Sequence, residues 1–228
     1  MTAIAAICRT GEIVLAADSR RLGLVSGEQS SVCKIRDLKT LYAVLSGINT
    51  YDPTHFDVSQ LIPAQMPDVD IGTNVNSIAD AIFPPLRDAL EHLRNENPGL
   101  FASTAVQKHP MDIKFARVQN CVPTLITLRA VVQISESGPP TVIPERHDWP
   151  IWGMFDTPAC SFVGTDEGVA TYLALSDNGE LYKGDLVERA RSFVQTEIDK
   201  HATGIGGPID ILRLTKEGAN WIQRKDGC

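Results

Sequence analysis

Two short apolar runs open the chain. Ala3-Ile4-Ala5-Ala6-Ile7 and Ile13-Val14-Leu15-Ala16-Ala17 flank a polar turn at Thr10-Gly11. This reads as a β-hairpin with strands over 2–8 and 13–18. A strand-like piece follows at 33–35 and another strand at 41–46. Residues 48–73 are rich in Asp, Pro and Thr and predict loop, with one helical turn near 58–62. The period then changes. Ile78, Ile82, Leu86, Ala89, Leu90 and Leu93 recur at spacings of three and four, one apolar helical stripe. Pro84-Pro85 falls inside that stripe and predicts a kink or a split into two helices. Asn97-Pro98-Gly99 predicts its end.

Residues 101–120 read ambiguously. A run of Thr, Leu, Ile and Val predicts a long strand over 123–134, and Gly138-Pro139-Pro140 a turn. Residues 142–154 predict a strand carrying Trp149 and Trp152. A strand over 160–164 leads into a helix at about 166–175, broken by Asn178-Gly179. Asp185, three residues ahead of Glu188, marks the start of the last helix. Its buried stripe is Leu186, Ala190, Phe193, Val194 and Ile198. After the glycine-rich loop at 204–207, residues 208–214 alternate as a strand, and Gly218 turns the chain into Trp221-Ile222. Strands and helices in this order predict two packed sheets with helices outside, a single α+β domain over 1–228.

Composition narrows the class of function. A net charge of −7 argues against a nucleic-acid-binding surface, which needs clustered Lys and Arg. No apolar stretch has the length of a membrane span, and the start of the chain has no signal-peptide pattern. Cys8, Cys33, Cys121, Cys160 and Cys228 are scattered and show no CxxC spacing. They predict reduced thiols in a cytoplasmic protein rather than a disulfide framework or a zinc site. His55, His92, His109, His147 and His201 show no metal-ligand spacing and read as solvated or capping side chains. No cofactor is implied.

The candidate chemistry lies in the first strands. Removal of Met1 would leave Thr2 with both a hydroxyl and a free α-amine, and an N-terminal amine is a known base for activating a hydroxyl. Such an amine has an ordinary pKa of about 8, suited to general-base work near neutrality. Asp18 lies sixteen positions after Thr2, and Lys34 thirty-two after it. Together with Leu15-Ala16-Ala17-Asp18-Ser19-Arg20 and Ala43-Val44-Leu45-Ser46-Gly47, this register resembles the active-site framework of proteasome β-type subunits and their bacterial relatives, the N-terminal nucleophile hydrolases. The likeness is close over roughly the first fifth of the chain and looser beyond it.

The resemblance implies a four-layer αββα sandwich of two antiparallel sheets with helices outside. It implies that Thr2 is the nucleophile, that Lys34 favours its free amine and its developing alkoxide, and that Asp18 holds Lys34 charged. Gly47 would give an oxyanion-hole N–H, although Ser-Gly after a strand is also a common turn. Thr165, within Val163-Gly164-Thr165-Asp166, either supplies an assisting hydroxyl or caps the following helix. In the late glycine loop the family brings an aspartate and a serine, where this chain has Ala202 and Ile205. The bland alternative for Asp18 and Lys34 is a weak ion pair at exposed strand ends.

The resulting expectation is a cytoplasmic threonine peptidase acting on peptides or unfolded proteins. It would form a homo-oligomeric ring, with an ATP-dependent unfoldase as a possible partner. A small-molecule amidase or acylase of the same superfamily and a ring subunit without activity are the alternatives.

Overall fold

The computed structural model describes residues 2–22, 26–103, 106, 110–135, 138, 140–149, 159–164, 185–200 and 204–228. Strands β1 (Ile4–Arg9) and β2 (Glu12–Asp18) form the predicted hairpin, with Ile4 opposite Ala17. All of β2, and all of β1 except Arg9, is buried. Both faces of this hairpin are covered, so its sequence reads as a continuous run of small and branched apolar residues and does not alternate.

The hairpin sits inside a five-stranded antiparallel sheet. Its order is β12 (Ala159–Val163), β1, β2, β13 (Ile209–Thr215), β14 (Gly218–Gln223). A second antiparallel sheet has the order β11 (Thr141–Trp149), β10 (Val122–Gln133), β9 (Met111–Gln119), β6 (Tyr42–Gly47), β5 (Ile35–Asp37). Two-stranded ribbons join β3 (Arg20–Leu22) to β4 (Gln29–Ser31) and β7 (Thr50–Tyr51) to β8 (Phe56–Asp57). One-turn helices α1 (Val58–Leu61) and α3 (Pro98–Phe101) flank the 26-residue helix α2 (Ile71–Glu96), and α4 (Leu186–Lys200) has 15 residues. The fold is thus mixed α+β, with several antiparallel sheets and two substantial helices among the described residues.

Strand periodicity decides what packs on what. One face of the hairpin sheet offers Ala3, Ala5, Ile7, Val14, Ala16 and Ile211 to Leu186, Ala190, Phe193 and Val194 of α4. The other face, with Ile4, Ala6, Ile13, Leu15, Ala17 and Leu212, meets Val44, Ala116 and Leu125 of the second sheet. The far face of that sheet presents Leu45, Ile113, Phe115, Ile126 and Leu128 to Ile78, Ile82, Leu86 and Leu93 of α2.

Helix α2 is not split at its proline pair. Pro84 and Pro85 lack the N–H groups that would reach the carbonyls of Asp80 and Ala81 four residues back. Asp80, Ala81 and Pro84 are exposed, so water can satisfy the orphaned carbonyls while the buried stripe runs on beneath. The Asp70 side chain caps the helix by accepting from the Thr73 N–H at 3.0 Å. At α4 the expected cap holds, with Asp185 accepting from the Val187 N–H at 3.0 Å.

The ambiguous stretch at 101–120 contains strand β9. It obscured its own period because Asp112 and Lys114, on the face opposite Ile113 and Phe115, are also buried. A two-residue turn at Asn120-Cys121, with φ of 52° and 63°, joins it to β10. The predicted strand over 142–154 is seen as β11 as far as Trp149; Trp152, the helix expected at 166–175 and its break at Asn178-Gly179 lie outside the described residues.

Candidate active site

Hairpin register brings the two ends of the opening strands together. Asp18 follows the Ile4–Ala17 pair, so it lies opposite Ala3. The Asp18 N–H donates to the Ala3 carbonyl at 3.1 Å, and the Ala3 N–H donates to Asp18 Oδ1 at 2.8 Å. Thr2, half-buried, is held at this corner by its neighbour's backbone.

Lys34 closes the constellation from the second sheet. It immediately precedes β5, and its carbonyl accepts from the Leu45 N–H of β6 at 3.2 Å. Its side chain reaches across so that Nζ lies 2.6 Å from Asp18 Oδ1 and 3.3 Å from Thr2 Oγ1. The Lys34 and Asp18 side chains are 2% and 0% exposed, which removes the reading of a weak pair at exposed strand ends. Burial holds the Lys34 ammonium below the ordinary lysine range, while Asp18 and, secondarily, Asp210 pull its affinity for the proton back up. The second oxygen of Asp18 accepts from the backbone N–H groups of Gly206 at 3.1 Å and Arg20 at 3.2 Å. A carboxylate with four donors is fixed in place, and it fixes the lysine in turn.

The late glycine loop contributes backbone, not side chains, to this network. Arg20 donates its N–H to the Gly206 carbonyl at 2.9 Å while Gly206 donates to Asp18. Gly207 has φ of +79°, and a Cβ on it would lie 2.7 Å from Ser19 Oγ. The loop is glycine because the chain must approach Ser19 and Arg20 at backbone distance. Ile205, at the position where the resemblance implies a serine, is fully buried in the apolar cluster under α4. Ala202 and Thr165 lie outside the described residues.

Gly47 ends β6 at an exposed position. Its φ is +88°, and a Cβ would fall 2.2 Å from the Pro110 carbonyl oxygen, so backbone packing demands glycine here independently of any role in chemistry.

Two features were missed in the sequence. Asp210, 1% exposed in β13, accepts from the Lys225 N–H at 2.6 Å and acts on Lys34 through its charge. Burial pushes its carboxyl above the ordinary aspartate range. Its signal was a carboxylate between two isoleucines, Ile209 and Ile211. The second is a correction: Cys33 and Cys228 form a disulfide, where reduced thiols were expected. Residues 195 apart in the chain become neighbours because the segment after β14 returns to the lysine segment, where Lys225 Nζ donates to Ser31 Oγ at 3.0 Å. Nothing in the spacing announces that pairing.

Compared with known proteins, the chain matches no family model and no curated protein. No helix among the described residues is long and apolar enough to cross a membrane.

Proposed function

We propose that this chain is a threonine-type peptidase of the N-terminal nucleophile hydrolase class, resembling proteasome β-type subunits. One observation carries the reading: Lys34 Nζ bridges the Asp18 carboxylate and the Thr2 hydroxyl, at 2.6 and 3.3 Å. A buried cation beside a hydroxyl stabilises the alkoxide character that nucleophilic attack develops. The packing order of helix, sheet, sheet and helix supports reading the fold as the four-layer αββα sandwich of that class.

With Met1 removed, the Thr2 α-amine takes the Oγ proton as Oγ attacks the substrate carbonyl carbon. The carbonyl π electrons move onto oxygen, which the Gly47 N–H stabilises. Collapse breaks the C–N bond, and the proton held by the amine goes to the departing nitrogen. Water then attacks the Thr2 ester, with the same amine as base, and releases the acid. Asp18 keeps Lys34 charged and aimed; the N–H groups of Gly206 and Arg20 aim Asp18. The proposal extends to peptides or unfolded proteins as substrates, a homo-oligomeric ring, an ATP-dependent unfoldase and a cytoplasmic setting. A small-molecule amidase would use the same centre, and a ring subunit without activity would leave it idle.

Intact-mass measurement after treatment with an acylating β-lactone tests the centre. The expected result is loss of Met1 and one adduct per chain, mapped to Thr2 and absent in Lys34→Met. Retained Met1 or an unreactive Thr2 would defeat the mechanism. Turnover of a fluorogenic peptide, with light scattering for mass, separates peptidase from amidase and ring from monomer.

A further inference from the structure

The segment that carries Lys34 belongs to no strand. Residues 32–34 lie between β4 and β5, outside any strand. Backbone ties are the Val32 N–H to the Ser19 carbonyl at 2.8 Å and the Leu45 N–H to the Lys34 carbonyl at 3.2 Å. A third tie is covalent. Cys33, directly before Lys34, is exposed and bonded to Cys228. Through that bond the residues after β14 are fastened to the residue before the lysine. Lys225 bonds Ser31 on one side of Cys33 and, by its backbone N–H, the buried Asp210 carboxylate. The tail is therefore linked to Lys34 by two routes: the adjoining residue, and the acid whose charge bears on its ammonium.

We propose that the Cys33–Cys228 disulfide is a redox latch on the Thr2–Lys34 centre: oxidised, it holds Lys34 on Asp18 and Thr2; reduced, it releases the tail and loosens the lysine. The inference rests on the threonine-hydrolase reading for its effect on turnover. A dithiol protein of the thioredoxin class would supply the reductant. Its thiolate attacks one sulfur, the Cys33–Cys228 bond breaks, and a second donor thiol displaces the mixed disulfide. Two electrons and two protons end on Cys33 and Cys228 as thiols, and the donor becomes a disulfide. Cys33 is open to such attack because it is exposed. With the tail released, the buried Asp210 loses the N–H it accepts, and the lysine segment keeps its two backbone ties and the Lys34 side-chain contacts but loses the covalent one. Cys33 and Cys228 are positioning residues here.

The experiment compares oxidised protein, protein treated with a phosphine reductant, and the Cys33→Ser/Cys228→Ser double variant. All carry Cys121→Ser, which removes an exposed thiol capable of exchange. Peptide turnover and amide hydrogen exchange are read on each. Turnover is expected to fall about tenfold on reduction and to return on reoxidation. The double variant should sit at the reduced level and ignore the reductant. Exchange should accelerate at 31–37 and 222–228 while α2 keeps its protection. Measurable and equal turnover in the oxidised and reduced states overturns the latch. So does loss of protection throughout α2 on reduction, which makes the bond a staple of the whole fold. Local exchange changes with no turnover in any state support the latch and overturn the hydrolase reading instead.

Discussion

Among the described residues, Lys34 and Lys114 are both buried beside an aspartate, and their surroundings differ. Lys34 and Lys114 have side chains 2% and 1% exposed. Burial holds both ammonium groups below the ordinary lysine range. Lys34 pairs with Asp18 at 2.6 Å and faces the Thr2 hydroxyl at 3.3 Å, at the edge where the first strand begins. Lys114 lies mid-strand in β9, between Val44 and Thr127 in register. Its Nζ is 3.5 Å from Asp112, a carboxylate also engaged by Arg129 at 3.2 Å, and the Arg129 charge opposes its own. A buried ion pair by itself is therefore an ordinary structural device, and not always a stabilising one. What sets Lys34 apart is the carboxylate it pairs with, which three backbone N–H groups hold still, and the Thr2 hydroxyl that its ammonium meets at 3.3 Å.

The comparison breaks most visibly at the hydroxyl and the lysine. Thr2→Ala is expected to abolish turnover, and Lys34→Met to lower kcat by about 10²- to 10⁴-fold. Lys114→Met should leave kcat and KM of a peptide assay unchanged. If both lysine variants lose activity alike, the distinction between them collapses.

Asp18→Asn comes next. It leaves the Lys34 ammonium buried without its anion and should destabilise the fold by about 3–5 kcal/mol in urea denaturation. Asp18 supports the charged form of Lys34, so its removal drives the lysine's pKa further down. The alkaline limb of the pH–rate profile should then move to lower pH. A limb that stays in place would show that Lys34 is not the group that titrates there.

Gly47→Ala places a Cβ 2.2 Å from the Pro110 carbonyl oxygen at a φ of +88° and should destabilise by about 1–3 kcal/mol. Thermal denaturation reads the effect.

The smallest change expected is in the stability of Lys114→Met, within about 1 kcal/mol of wild type at pH 7, since Arg129 still answers Asp112. The pH dependence sharpens it. Lys114 in the folded chain has a pKa below its unfolded value of about 10.5, so between the two the unfolded chain binds more protons. Its contribution to stability therefore rises with pH through that window, and Lys114→Met should flatten the rise measured by urea midpoints. An unchanged slope would mean that Lys114 is not charged by unfolding.

Much of this was legible in one dimension. Apolar runs around a polar turn placed the opening hairpin, and period, capping and alternation placed the stripe of α2, the start of α4 and the strand after the glycine loop, because each rests on a pattern local in the chain. Thr2, Asp18 and Lys34 were readable as residue types at matching intervals. Tertiary structure alone decided that Lys34 reaches Thr2 and Asp18, because that contact joins segments next to strands of different sheets. It also decided that the proline pair leaves α2 whole, since that depends on which face meets water. The glycine loop serves Asp18 through the N–H of Gly206, an atom every residue but proline carries, so no residue type could announce it. The roles of Asp210 and of the Cys33–Cys228 bond were hidden for another reason. Charge and sulfur are written in the sequence, but proximity over 195 residues is created only when β14 folds back beside the lysine.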